Sequence, residues 1–187
     1  DESSQKRSKF IKLNLSSFQS VKEFVIAVKN DYSTIDILIN NAGLFNEEHK
    51  LTEDNIEEML QANTLSPMYI TQELFPLLEK TKGKVINVSS IAHRRFVFNK
   101  EMISEWKKPE FNFLKDNYDG MKSYGLSKLG NIYFTQYFAD YIEKFGYDVG
   151  VYSLHPGVIP TNLLSNSKLY YIIIKNVTEK VILWGFD

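Results

Sequence analysis

The chain has no cysteine. Disulfides, thiol nucleophiles and zinc–thiolate centres are therefore excluded. It also lacks an excess of either charge: 22 Lys and Arg stand against 23 Asp and Glu. Nothing in that balance points to nucleic acid or to an anionic membrane surface. The three histidines, His49, His93 and His155, are scattered and lack metal-ligand spacing. The opening "DESSQKRSKF" is charged and has no signal-peptide core. Internal repeats and low-complexity tracts are absent. The most apolar stretch, near the C-terminus, is broken by Lys175, Asn176, Glu179 and Lys180, too often for a membrane span. Glycine is scarce where it matters most. The first one is Gly43, so no glycine-rich turn precedes it.

What is present is a globular composition. With 187 residues, 43% apolar and 24% charged, the chain is long enough for one domain with a real core. "KFIKLNL" (9–15) alternates Ile11, Leu13 and Leu15, which predicts a strand. Ser16 or Ser17 then caps a helix carrying Val21, Phe24, Val25 and Val28 at helical spacing. "IDILIN" (35–40) predicts a buried strand. Residues 51–80 predict a long helix disturbed at Pro67, which has no N–H to donate. "KVINVSS" (84–90) is a third strand, and 91–122 a polar loop with local helix. Residues 123–145 predict a helix ended by Gly146, and 148–157 a fourth strand stopped by Pro156. In the C-terminal stretch Tyr170, Ile173, Ile174, Val177, Val181 and Trp184 share a helical face. It reads as core-facing, with a membrane surface or a partner as the alternative.

Strands alternating with helices predict a parallel α/β sheet, with ligands beyond the carboxyl ends of the strands. Three signals fall at such ends: "NNAG" after the second strand, "SS" closing the third and "PG" closing the fourth. "SYGLSKLGN" adds Tyr124 and Lys128, four apart on one helix face. A free tyrosine has a pKa of about 10, and bringing it near 7 requires about 4 kcal/mol. One ammonium about 4 Å away supplies on the order of 4 kcal/mol at an effective dielectric near 20. Lysine is therefore the right size of perturbation for a proton-transfer tyrosine. Taken singly, each signal has an ordinary reading as turn, cap or packed ring. Their order within one alternating pattern is what the ordinary reading does not explain.

That ordered set resembles the short-chain dehydrogenase/reductase family. It is carried by "NNAG" (40–43), Asn63, "NVSS" ending in Ser90, "YGLSK" (124–128) and "PGVIPT" (156–161). "SSIAH", the long insert before the tyrosine and "SKLGNIYFTQYFA" resemble its retinol-dehydrogenase-like branch. The resemblance runs from about Lys9 to about Leu164. It implies a Rossmann-like doubly wound parallel sheet and an oxidoreductase using NAD or NADP on an alcohol or carbonyl, with hydride passing to or from the nicotinamide. It implies Tyr124 as acid/base, Ser90 orienting the substrate oxygen, Lys128 tuning Tyr124 and binding the nicotinamide ribose, and Asn63 in a proton relay. Asn41, Ala42 and Gly43 would line the adenosine-ribose side. Pro156, Gly157, Val158 and Thr161 would line the carboxamide. Asn14 falls where the family usually has an aspartate facing adenine; an amide offers a donor and an acceptor there without charge.

Against that family the N-terminal strand, its glycine-rich turn and the second strand have no counterpart. In the order 3-2-1-4-5-6 those two strands lie between the 9–15 and 35–40 strands, so a slot about two strands wide is expected there. The expectation is one partial Rossmann-like domain over 1–187, a fragment or incomplete form. The alternatives are a non-catalytic interaction protein on a degenerate dehydrogenase scaffold and a nucleotide-sugar epimerase with the same tyrosine–lysine logic. The epimerase fits "NVSS" and the Thr161 context less well. The aromatics Phe96, Phe98, Trp106, Phe111 and Phe113 fit an apolar pocket lid or simple packing, and the substrate class is lipophilic on that reading. A homo-oligomer, and a cytoplasmic or membrane-surface setting, are compatible with the composition, which does not choose among them.

Overall fold

The computed structural model describes residues 8–95 and 118–157. Val158, Thr161, the aromatic loop and the C-terminal apolar face lie outside them. In chain order the elements are helix α1 (Phe18–Asp31), strand β1 (Ile37–Asn40), the short helix α2 (Glu58–Leu60), a π-helical turn (Gln61–Leu65), helix α3 (Ser66–Glu79), strand β2 (Lys84–Val88), a 3-10 turn (Ile91–Arg95), helix α4 (Gly120–Phe145) and strand β3 (Gly150–Leu154).

The three strands form one parallel sheet in the order β1-β2-β3. Parallel neighbours taken in sequence order, joined by right-handed crossovers, put their helices on the same face. Leu38, Val85 and Val151 stand side by side in register on that face. Phe75 and Leu78 of α3 and Phe134, Phe138 and Ile142 of α4 pack over them. A second cluster joins Val21, Val25 and Val28 of α1 to Ile70 and Leu74 of α3. Each fully buried Leu or Val in these clusters stabilises the fold by about 1.5–3 kcal/mol. The helix ends follow local chemistry. Ser17 Oγ accepts from Ser20 N, and Asp54 Oδ2 from Phe18 N, satisfying free N–H groups of α1. Gly146 closes α4 at φ 71°, with Gly146 N on Glu143 O and Tyr147 N on Ile142 O, a left-handed cap that glycine adopts without strain.

Several expectations change. Residues 9–15 form no strand. Ile11, Leu13 and Leu15 do turn toward the α1–α3 cluster, and Leu15 O accepts from Ser66 Oγ at 2.7 Å. Alternation places side chains, but a ladder needs a neighbouring backbone, and among the described strands β1 pairs with β2 alone. The 35–40 strand is shorter and is not buried: Ile37 is 55% and Ile39 58% exposed, because no described element covers that face. The 51–80 helix begins only at Glu58; Leu51 instead bridges to Glu57, and Asn55 turns the chain at φ 59°. The disturbance expected at Pro67 lies just before it, where Ser66 N reaches back five residues to Gln61 O. The last helix starts three residues early, at Gly120, because Asp119 caps it. No helix among the described residues is long and apolar enough to cross a membrane.

Candidate active site

Helix α4 begins where Asp119 Oδ1 accepts from Met121 N and Lys122 N, at 2.9 and 3.0 Å. One turn later its inner face carries Tyr124, Ser127, Lys128, Asn131 and Thr135, spaced by three and four residues. This polar stripe lies against the carboxyl end of β2, where Lys128 and Asn131 donate to Val88 O. Ser89 Oγ donates to Lys128 O at 2.7 Å and Ser89 N to Leu154 O at 2.7 Å, tying helix and strands together. Behind it, Asn40 Nδ2 donates to Asn87 Oδ1 and Thr71 Oγ1, and Asn87 Nδ2 to Thr135 Oγ1, all at 2.8–2.9 Å. That layer satisfies buried amides at the sheet end.

Lys128 is 4% exposed, and its Nζ donates to Val88 O at 2.9 Å. Burial pulls its pKa down to about 8. The ammonium lies 5.7 Å from the centre of the Tyr124 ring. Tyr124 is 9% exposed, with the Phe45 ring edge-on at 5.7 Å. The expected drop toward neutrality does not occur. Burial pushes the phenol above its ordinary value, and a hydrogen bond with Ser90 works against that shift. Desolvation of the phenolate is the larger of the two causes. Ser90 Oγ also accepts from Ala92 N at 3.2 Å, which starts the 3-10 turn.

Asn63 sits in the π turn, 1% exposed. Its Oδ1 accepts from Leu44 N at 2.8 Å; its Nδ2 donates to Leu44 O at 2.9 Å and to Ser127 Oγ at 3.1 Å. Both amide N–H groups are thus engaged, and the side chain holds the chain after "NNAG" as a neighbouring strand would. A Cβ on Gly43 would lie 2.9 Å from Asn63 Oδ1 and 3.5 Å from Lys128 Nζ. Gly43, Asn63 and Lys128 therefore meet at one point, and the glycine is needed for that approach. Asn41 and Ala42 beside it are exposed.

The remaining candidates lie farther out. Asn14 Oδ1 accepts from Ser16 N at 3.0 Å, a local turn ahead of α1. Pro156 and Gly157 are exposed after β3, with Gly157 at φ 83° and its N–H on His155 Nδ1. Sequence reasoning missed Ser89, Ser127 and Asn131 as parts of this site. The signal was available for two of them: Ser127 and Asn131 continue the Tyr124–Lys128 face at helical spacing. Thr64 was missed too; its Oγ1 donates to Ser127 O at 2.7 Å.

The short chain dehydrogenase profile matches residues 1–102. The chain is 30% identical over 173 residues to retinol dehydrogenase 13 of Homo sapiens, covering 92% of this chain and 49% of that protein. A crystal structure of an uncharacterized protein from Mycobacterium Paratuberculosis superposes with a TM-score of 0.65 at 30% identity, covering 83% of this chain and 52% of the other. The NADPH bound carbonyl reductase from chicken fatty liver shares the fold, with a TM-score of 0.61 at 23% identity, over 87% of this chain and 62% of that one. The chain thus spans about half the length of the curated relatives it matches. Profile, identity and the order of motifs along one parallel sheet agree that the chain belongs to the short chain dehydrogenase family, in its retinol-dehydrogenase-like branch.

Proposed function

We propose that this chain forms the proton-transfer part of an oxidoreductase that interconverts a lipophilic alcohol and its carbonyl compound with NAD or NADP. The observation that carries the reading is the meeting of Gly43, Asn63 and Lys128 beside Tyr124 and Ser90 at one edge of the sheet. Five residues from four chain segments converge there, three of them buried.

The residues fit a dinucleotide on this side. The Asn41–Gly43 backbone is exposed where a side chain on Gly43 would intrude on Asn63. An ammonium has three donors, and Val88 O takes one from Lys128, which leaves others for a ribose hydroxyl. None of the 42 residues before Gly43 is a glycine, so these residues supply no glycine-rich phosphate turn. When bound, the cofactor supplies or accepts the hydride. The rest falls to the chain. Tyr124 Oη gives its proton to the substrate oxygen during reduction and takes it back during oxidation. Ser90 Oγ orients that oxygen. Lys128 favours the phenolate once the proton has left. Asn63 positions the Leu44 backbone, and through it Gly43, within the relay. Leu44, Phe45, Met59 and Met121 around Tyr124 give the site apolar walls, which suits a lipophilic substrate.

The test uses the longest natural polypeptide that carries this sequence, with retinal and other apolar aldehydes as substrates and NADH and NADPH as cofactors. Reduction that Tyr124→Phe lowers by about a hundredfold or more is the expected result. Reduction that survives Tyr124→Phe would remove the assigned acid/base. A second reading, an interaction protein on this scaffold, is favoured by the exposed Ile37, Ile39, Tyr152 and Leu154. Calorimetry of that same longest polypeptide with both reduced cofactors separates the two: binding supports the first, and a folded protein that binds neither supports the second.

A further inference from the structure

Glu57 is a carboxylate only 2% exposed, and the chemistry above makes no use of it. It occupies the N-cap of α2, a place usually held by the shorter Ser, Thr, Asp or Asn. Its Oε2 performs the capping, accepting from Leu60 N at 2.8 Å. Its Oε1 reaches a residue 61 positions later in the chain, accepting from Tyr118 Oη at 3.0 Å. The extra methylene of a glutamate lets one carboxylate do both. Tyr118 in turn directly precedes Asp119, the cap of α4.

The two partners stand in matching places. Glu57 lies six residues before Asn63, and Tyr118 six residues before Tyr124. Their hydrogen bond joins the starts of the two helical segments that carry these residues. Farther along, the same segments are joined by Asn63 Nδ2 to Ser127 Oγ and by Thr64 Oγ1 to Ser127 O. Tyr118 is steadied from the side by the His49 ring, edge-on at 5.3 Å. Burial, and then the Glu57 charge, push the Tyr118 phenol above its ordinary value, which favours the protonated, donating form.

We propose that Glu57 and Tyr118 are positioning residues, a strut that fixes the first turns of α4, and therefore Tyr124, against the Asn63 turn. The catalytic half of this inference rests on the oxidoreductase reading; the mechanical half does not. Amide hydrogen exchange in the 187-residue chain tests the mechanical half. Tyr118→Phe removes one hydroxyl, and Glu57→Gln removes one acceptor while keeping the shape. Each is expected to speed exchange of the Ser123–Lys128 amides roughly tenfold, the effect of one lost buried hydrogen bond, with β2 and the end of α4 unchanged. The double variant should be no faster than the faster single one. Unchanged exchange, uniform acceleration across the domain, or additive effects would overturn the strut. In the longest natural polypeptide, kcat should then fall in Tyr118→Phe at unchanged cofactor KM, and a shift in KM alone would overturn the catalytic half. Absence of any turnover in the unsubstituted protein would instead overturn the oxidoreductase reading and leave the exchange result standing.

Discussion

On one face of the sheet, Leu38, Val85 and Val151 lie under α3 and α4, and Val85 is 0% exposed. On the other, Ile39 and Tyr152 stand in the same register across β1, β2 and β3, yet each is more than half exposed. The residue types are similar: apolar, β-branched or aromatic. What differs is the partner. The covered face has three helices from this chain over it or beside it, and every buried residue of the candidate site hangs from that side. The open face borders a β1 edge that pairs with no described strand. The site is therefore built where the chain supplies its own packing, and the other face leaves Ile37, Ile39, Tyr152 and Leu154 exposed among the described residues.

The largest effect that would break this comparison is chemical. Tyr124→Phe should lower turnover in the longest natural polypeptide by about 10²–10⁴-fold with the fold intact by circular dichroism. Full activity would mean that the covered side does not hold the chemistry.

Next comes the core. Leu78→Ala, at a fully buried position under the covered face, should cost about 2–5 kcal/mol in urea unfolding. A loss below 1 kcal/mol would show that the helices pack loosely on that face.

The Lys128 ammonium allows a test by pH. Its pKa falls from 10.5 to about 8 on folding, so the unfolded chain binds more protons between these values. Stability then rises with pH across that window. The penalty of burying the charge, about 3 kcal/mol, is fully present below pH 8 and is relieved toward pH 10.5. Lys128→Met lacks this dependence. Its stability advantage over the unsubstituted chain at pH 7.5 should shrink by most of that amount at pH 10, measured by urea titration. A constant difference would mean that the amine is hydrated.

The smallest effect belongs to the open face. Ile39→Thr should change stability by no more than about 0.5 kcal/mol, while reducing self-association in sedimentation. A cost comparable to that of Leu78→Ala would show that the open face is covered in solution and would end the comparison.

Much of this architecture was legible residue by residue. Val21, Val25 and Val28 announced the buried stripe of α1, and they are its buried residues. Gly146 announced the end of α4 and takes the left-handed conformation there. Tyr124 and Lys128, one turn apart, had to share a face. Less legible was whatever needed a second segment. Ile11, Leu13 and Leu15 alternate like a strand and do turn inward, but no ladder forms. Leu51 continues an apparent helical run and instead closes a bridge with Glu57. The Tyr124 phenol was expected to fall under the pull of its lysine, and burial moves it the other way.

The sequence by itself determined which residues could do chemistry and where along each element they stand. It set the tyrosine–lysine spacing, the glycine that alone permits approach after β1, the polar stripe of α4 and the family to which these belong. These are local properties, encoded by side-chain type and by the 3.6- and 2-residue periods of the backbone. Tertiary structure alone decided that Gly43 meets Asn63 and Lys128, that Glu57 reaches across 61 residues to Tyr118, and which face of the sheet is buried. Those outcomes depend on contacts between distant segments and on how far each group is removed from water. Neither quantity is a property of any single stretch of chain.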